Sequence, residues 1–454
     1  MSLNDYESKI EFEETKGEID EEIKLDEDKR TVLTKYSNPE ITSLYEKSKR
    51  GRLVLQHEFQ RKFVWDRKKA SRLIESALLS VPLPLFYLAE NADGSEYVID
   101  GQQRLTSFFS FIDGKLPDGE DFKLTDMRVY PELNKKDYAS LDKNLQEKIL
   151  YYNISTVTIL KESDPDLKFE IFERLNTGSV PLNDMELRNC VYRGIYMDLL
   201  KDLASDRDFR WLLKLDGPDK RMKDVELVLR FASFYHSTYL KYKPSMRQFF
   251  NRDMEKYKNI SETEQEELRS AFKNSVQIVK SLFGENAFKR FHPGTESDPK
   301  GAWETKKFNS SLYDVWMGIF WDKNKNQVFA NLDSLRDALI ELMASNDAFI
   351  DSILIGTSDT KKVRTRFDIA RNVVEKILSC SENQPRCFSY ELKQELFDKN
   401  PTCEICGQRI QHIDDSAVDH IELYSKGGKT HPENARITHR YCNFARSNSI
   451  EKGD

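Results

Sequence analysis

An α+β N-terminal domain, a mainly helical middle and a small, separately stabilised C-terminal module are predicted by three observations. Strand-like and helix-like hydrophobic periods alternate up to about residue 200, and helical periodicity prevails from there to about residue 385. Cysteine and histidine then concentrate in the final stretch. A chain of 454 residues is long enough for roughly two to four folded units, so a single small domain is excluded. The expected divisions are 1–30, 31–200, 201–385 and 386–454.

Residues 1–30 carry twelve acidic and five basic side chains, which accounts for the whole net charge of −7. With few apolar anchors, this segment reads as a solvated, disordered tail. The remainder is neutral, which argues against a globally basic nucleic-acid coat but leaves room for a local basic groove. No apolar run approaches the ~18–20 residues of a membrane span, and the first thirty residues lack a signal-peptide pattern. A soluble, cytoplasmic protein without a membrane partner is expected.

From Arg67 the series Ala70, Leu73, Ile74, Ala77, Leu78 follows i, i+3, i+4, i+7, i+8, predicting a helix that stops at Val81-Pro82. Pro84–Ala89 reads as a strand, Asn91-Ala92-Asp93-Gly94 as a turn and Glu96–Ile99 as the returning strand. Leu105, Phe108, Phe109 and Ile112 restore the helical period, which places Asp100-Gly101-Gln102-Gln103-Arg104 on a strand-to-helix junction. Thr156–Leu160 is β-branched and strand-like, and Leu167–Leu175 is helical up to Asn176-Thr177-Gly178. Between about 184 and 379 amphipathic helices dominate, and aromatics such as Phe249, Phe250 and Trp316 are expected in their core. The basic run Lys361–Arg366 reads as a solvated face.

Cys403-Glu-Ile-Cys406 and His439-Arg-Tyr-Cys442 form two pairs at matching spacing. Thiolate and imidazole donors in two close pairs fit tetrahedral Zn²⁺, and four protein ligands leave no open position, so such a zinc is structural. Between the pairs lie Asp419-His420 and, further on, Asn434, while Asn443 directly follows the last ligand. On a strand, Asp419 and His420 point to opposite faces, and only a sharp bend brings both to one site. This pattern of C-x2-C, D-H, N and C-N resembles the HNH endonucleases, a ββα-metal family. Two departures are His439 in place of a cysteine and Arg446 in place of a lysine after the final knuckle. The resemblance implies that His420 is the general base that activates water. It implies also that Asp419 and Asn443 hold one Mg²⁺ or Mn²⁺, and that Asn434 orients the imidazole. Phosphodiester cleavage needs both a deprotonated nucleophile and a cation, and oxygen donors suit a hard ion.

In the N-terminal part, the glycine of Asp100–Arg104 permits close backbone approach, and the following helix offers its positive end to an anion. Alone, that five-residue pattern is weak. With Gln60-Arg61, Trp65 and the run Phe172–Gly178 followed by Leu182 and Glu186, it resembles the N-terminal domain of GmrSD-type restriction proteins, over roughly residues 35–200. That domain is similar to the ParB and sulfiredoxin fold. The resemblance implies a nucleotide site at Asp100, Gly101, Gln102, Gln103 and Arg104, with Arg61 as a second phosphate ligand and Asn176 lining the same pocket. No G-x4-G-K-[ST] loop is present in the sequence, so any NTP hydrolysis would use this other architecture.

Together the two resemblances imply an endonuclease of a modification-dependent, type IV-like anti-phage system. Its DNA partner would be phage-derived or modified, its HNH site metal-dependent, and its N-terminal domain regulated by a nucleoside triphosphate. The alternative left open is a nucleotide-dependent DNA sensor or NTPase whose zinc module is purely structural. Self-association is also open.

Overall fold

The computed structural model describes residues 8–13, 31–55, 65–91, 93–175, 182–379, 388–422 and 428–451. They fall into two compact units. One contains residues 31–193 and 220–222, the other residues 8–13, 194–219 and 223–451. Among the described residues no helix is long and apolar enough to cross a membrane.

The first unit runs β1 (Thr34–Ser37), α1 (Ile41–Lys49), β2 (Leu53–Val54), α2 (Arg67–Leu78), β3 (Phe86–Glu90), β4 (Glu96–Asp100), α3 (Gln102–Asp113), α4 (Lys143–Leu150), β5 (Thr156–Ile159), α5 (Pro165–Leu175) and α6 (Asp184–Val191). Its five strands are ordered β1-β5-β3-β4-β2. The outer β1 is antiparallel to β5, β5 is parallel to β3, β3 and β4 form an antiparallel hairpin, and β2 adds in parallel.

The elements form for the local reasons the pattern suggests. Asp66 caps α2 by accepting from the Lys69 N–H at 2.7 Å, and the predicted face Ala70, Leu73, Ile74, Ala77, Leu78 is buried. The hairpin turn closes on Asp93, whose Oδ1 accepts from the Ser95 N–H at 2.9 Å. Leu105, Phe108 and Phe109 of α3 are buried with Phe86, Leu88 and Val98 of the hairpin, so sheet and helices share one core.

The second unit is mostly helical: α7 (Ile195–Ala204), α8 (Arg207–Leu212), α9 (Lys223–Ser237), α10 (Met246–Lys256), α11 (Glu262–Phe283), the short hairpin β6 (Phe291–His292) and β7 (Ala302–Trp303), α12 (Ser310–Phe320), α13 (Lys325–Ala330), α14 (Leu332–Ser345), α15 (Asp347–Leu354) and α16 (Thr360–Ser379). It ends with α17 (Tyr390–Lys399), the antiparallel pair β8 (Ser416–His420) and β9 (Ala435–His439), and α18 (Arg440–Glu451). Residues 201–385 and the C-terminal module, expected as separate domains, thus lie in one compact unit. Phe249, Phe250 and Trp316 are buried, in line with their helical spacing.

Two expectations need correction. Within the presumed acidic tail, residues 8–13 are built into the second unit. Ile10 is buried, and the Glu13 N–H donates to the Phe308 carbonyl while the Phe308 N–H donates to the Glu11 carbonyl, both at 2.8 Å. Ile10 and Phe12 are the anchors that the surrounding charge obscured. The basic run on α16 is no uniform solvated face either. Arg366 is fully buried, reaches the Thr357 carbonyl at 2.6 Å, and lies 3.4 Å from the Asp314 carboxylate, which also takes Arg230 at 2.6 Å. Lys362 pairs with Asp351.

Candidate active site and zinc centre

The C-terminal module owns a very small apolar core, in which Cys403, Ile410, Ile437 and Cys442 are its buried members. So little apolar surface cannot hold a fold alone, and a metal is the usual substitute. Cys403 and Cys406 sit on a knuckle turned by Gly407, whose φ of +72° suits glycine and whose N–H donates to the Cys403 carbonyl at 2.8 Å. The Glu404 N–H reaches the Ile437 carbonyl at 3.0 Å, pinning the knuckle to β9. His439 ends β9 and Cys442 lies in the first turn of α18.

The four ligand atoms all lie within 4.8 Å of one another, with Cys406 Sγ 3.4 Å and Cys442 Sγ 4.0 Å from His439 Nδ1. Donors about 2.1–2.3 Å from a tetrahedral zinc would stand at such separations. The electrostatics agree with a cation site. Burial opposes ionisation of Cys403, but hydrogen bonds from His439 and backbone N–H groups prevail and bring its thiol down to about 6. Burial and the adjacent Cys403 and Cys406 sulfurs push the Cys442 thiol up. Gathering thiolates has that cost, which a dication removes. The residues therefore fit a structural zinc.

Behind the ligands, His439 Nε2 lies 3.9 Å from the buried Asp415 carboxylate. Carboxylates commonly orient metal-bound imidazoles in this way. Burial, as the main cause, raises the Asp415 carboxyl to about 6. Neighbouring groups fasten the module to the helices. Arg440 donates to the Asp414 carbonyl at 2.5 Å, to Glu341 at 2.6 Å and to Asp337, while Arg336 and the Trp303 indole reach Asp414 at 2.7 and 3.0 Å. Lys393 of α17 also pairs with Asp337, at 2.6 Å.

β8 and β9 hold the acid–imidazole pair. Asp419 pairs in register with Arg436 and His420 with Ala435, and along a strand their side chains alternate. Asp419 is buried, and its Oδ2 accepts from Arg436 at 2.7 and 2.9 Å and from Arg446. Arg446 also donates to the carbonyls of His420 and Ile421, at 2.9 and 3.0 Å. The His420 ring lies 4.4 Å from that of Phe388, and its Nε2 is 3.0 Å from Thr430 Oγ1.

Asn434, expected to orient this imidazole, makes its side-chain hydrogen bonds to Glu422 and Lys429 instead. Its Oδ1 accepts from the Glu422 N–H at 2.7 Å and its Nδ2 donates to the carbonyls of Glu422 and Lys429, at 3.0 and 2.9 Å. It therefore ties Glu422 to Lys429, the residue before Thr430, and Thr430 touches the ring. Asn443 is half-buried on α18, directly after a zinc ligand. Sequence reasoning missed Thr430, Phe388, Arg436 and Asp415, because nothing in their local spacing marks them.

In the first unit, Gly101 takes φ +97° before α3, and a Cβ there would meet the Phe86 ring at 2.4 Å. Among the described residues no side chain caps α3. Arg104 departs from the expected phosphate contact. It donates to the Pro84 carbonyl, to the Leu85 carbonyl at 3.1 Å and to Asp100 at 2.9 Å, and its guanidinium lies 4.2 Å above Phe86. Three of its five N–H groups are committed to the fold. Gln102 and Gln103 open the helix. Arg61 and Asn176 lie outside the described residues.

With this geometry in place, comparison with protein families gives two matches. Residues 41–193 match the GmrSD restriction endonuclease N-terminal domain, and residues 403–449 match the HNH endonucleases. The chain thus joins a region similar to the GmrSD N-terminal domain to a region similar to the HNH endonucleases. No curated protein matches it. The HNH domain makes it a DNA-cleaving hydrolase, and the GmrSD-type domain associates that nuclease with restriction.

Proposed function

We propose that this chain cleaves foreign DNA in a modification-dependent manner, with hydrolysis at His420 and control by a nucleoside triphosphate at the α3 N-terminus. The observation that carries the reading is a His420 ring against Thr430 beside, at the preceding strand position, an Asp419 flanked by Arg436 and by Arg446, which also holds the His420 carbonyl. In this reading His420 takes a proton from the attacking water, and Thr430, holding Nε2, keeps the ring aligned. Arg436 and Arg446 supply positive charge beside the scissile phosphate.

Asp419 and Asn443 would hold a Mg²⁺ or Mn²⁺. Arg436 and Arg446 converge on Oδ2 of Asp419, so Oδ1 retains acceptor capacity for a hard cation, and the Asn443 amide oxygen is a donor of the same class. When bound, such an ion neutralises charge developing on the phosphate and the leaving oxygen.

Nucleotide control rests on the uncapped α3 and on Gly101, which keeps a Cβ away from the turn. Arg104 serves this site by bracing the turn. Asp100, Gln102 and Gln103 remain the proposed contacts, with Arg61 and Asn176.

The test is plasmid nicking by wild type and His420→Ala, with Mg²⁺ or Mn²⁺, with and without NTP, on unmodified and phage-modified DNA. Cleavage should fall about 10²–10⁴-fold in the variant while zinc content stays at wild-type level. Undiminished cutting by the variant would refute the base assignment. Equal cutting of all substrates with and without NTP would refute the control.

A further inference from the structure

We propose a second divalent-metal site, built from Glu13, His292 and Glu304, that staples the N-terminal segment onto the β6–β7 hairpin. One ligand atom from each of these residues lies within 4.8 Å of the others. The site is separate from the cysteine-rich centre, and its members come from three places in the sequence: the strap 8–13, the end of β6, and the residue after β7.

The spacing points to an ion more than to a direct contact. His292 Nε2 and Glu304 Oε2 are 3.6 Å apart, too far for a good hydrogen bond. Two donors of one tetrahedral zinc, each about 2.0–2.2 Å from it, would stand about 3.4 Å apart.

Both carboxylates are also oriented from behind, as metal ligands usually are. Glu304 Oε1 accepts from the N–H groups of Thr305 and Lys306, at 2.9 and 3.2 Å, which turns Oε2 toward His292. Glu13 is about nine-tenths buried, and its carboxylate accepts from Arg290 at 2.7 and 2.8 Å and from Asn309 at 2.8 Å. A carboxylate offers about four lone-pair sites, so the Arg290 Nε–H, shared between both oxygens, and the Asn309 amide leave capacity for a cation. Two carboxylates against one arginine leave the cluster anionic when the imidazole is neutral. One imidazole and two carboxylates suit a borderline first-row dication, with Zn²⁺ bound more tightly than Mn²⁺.

Occupancy would link two parts of the second unit. The hairpin carrying His292 also carries Trp303, whose indole donates to Asp414 at 3.0 Å, and Gly301, which lies so close to Asp415 that a Cβ would come within 2.5 Å of its carboxylate. A metal held by Glu13 would therefore fasten the strap to the element that braces the zinc centre.

The experiment uses the full chain, first dialysed against a weak chelator until one tightly held zinc remains, then titrated with Zn²⁺ and, in parallel, Mn²⁺. Calorimetry and elemental analysis should show one further Zn²⁺ equivalent, weakened at least tenfold in His292→Ala and in Glu304→Gln. Both variants should keep the first zinc, which verifies their fold. Added Zn²⁺ should slow hydrogen exchange of amides 8–13 in wild type but not in the variants. Saturation of wild type at a single equivalent would overturn the proposal, as would a second equivalent that persists unchanged in both variants.

Discussion

The cysteine-rich centre and the Asp100–Arg104 turn are both short polar motifs beside a strand and a helix, yet they are held in opposite ways. At the centre, four side chains converge on one point and a charged network ties their neighbours to α14. At the turn the backbone is the constraint: Gly101 adopts a left-handed φ against Phe86, and the arginine is spent on carbonyls. The first site gathers ligand-type side chains on one point, whereas at the second the most conspicuous charged group braces the scaffold.

The largest expected effect breaks the first site alone. Cys403→Ser should abolish zinc binding at the cysteine-rich centre and DNA cleavage, since binding energy in such modules is folding energy. Elemental analysis and limited proteolysis should show a disrupted C-terminal module beside an intact 31–193 unit. Loss of both would contradict the independence of the two sites.

Next comes the network that anchors the module. Arg440→Met removes a buried guanidinium from two partly exposed carboxylates, Asp337 keeping Lys393, and losing its hydrogen bonds should cost about 1–3 kcal/mol. Denaturant unfolding measures this. The pH dependence has a definite sign. Burial would raise the Asp337 carboxyl, but Arg440 and Lys393 outweigh it and hold it below its ordinary value. A depressed carboxyl contributes stability above its unfolded pKa of about 3.9 and loses it as pH falls through the lowered folded value. Wild-type stability should therefore drop below about pH 4, and part of that drop should vanish in Arg440→Met.

Gly101→Ala sharpens the contrast from the other side. A Cβ in a left-handed conformation, pressed on Phe86, should cost the first unit about 1–3 kcal/mol and leave zinc content unchanged. Calorimetry of the full chain would register it as a lower transition for that unit only. The smallest effect belongs to Thr430→Val, which removes one hydrogen bond from His420. A net worth of about 0.5–1.5 kcal/mol corresponds to a roughly two- to tenfold slower nicking rate with unchanged zinc. A larger loss would make Thr430 more than an orienting group.

How much was legible depends on the distance over which each signal acts. The helix at Ala70–Leu78 and the hairpin at 86–100 obey periods of a few residues, and they appear where that periodicity places them. The zinc quartet was readable because C-x2-C and H-x2-C are local turns with soft donors at fixed spacing. The strap at Ile10 and Phe12 was obscured because two apolar anchors in an acidic run have no period. The bracing contacts of Arg104 had no local signal for a related reason: its carbonyl partners, Pro84 and Leu85, lie about twenty residues upstream on the lead-in to β3.

The sequence by itself determined the two motif sets, the element types around them and the kind of metal each donor set prefers, since these follow from side-chain chemistry and short-range spacing. Only the tertiary structure decided that Thr430 and not Asn434 touches His420, that two arginines flank Asp419, and that Glu13 meets His292 and Glu304. Such contacts are set by how strands pair and helices pack across tens to hundreds of residues, and no local pattern encodes them.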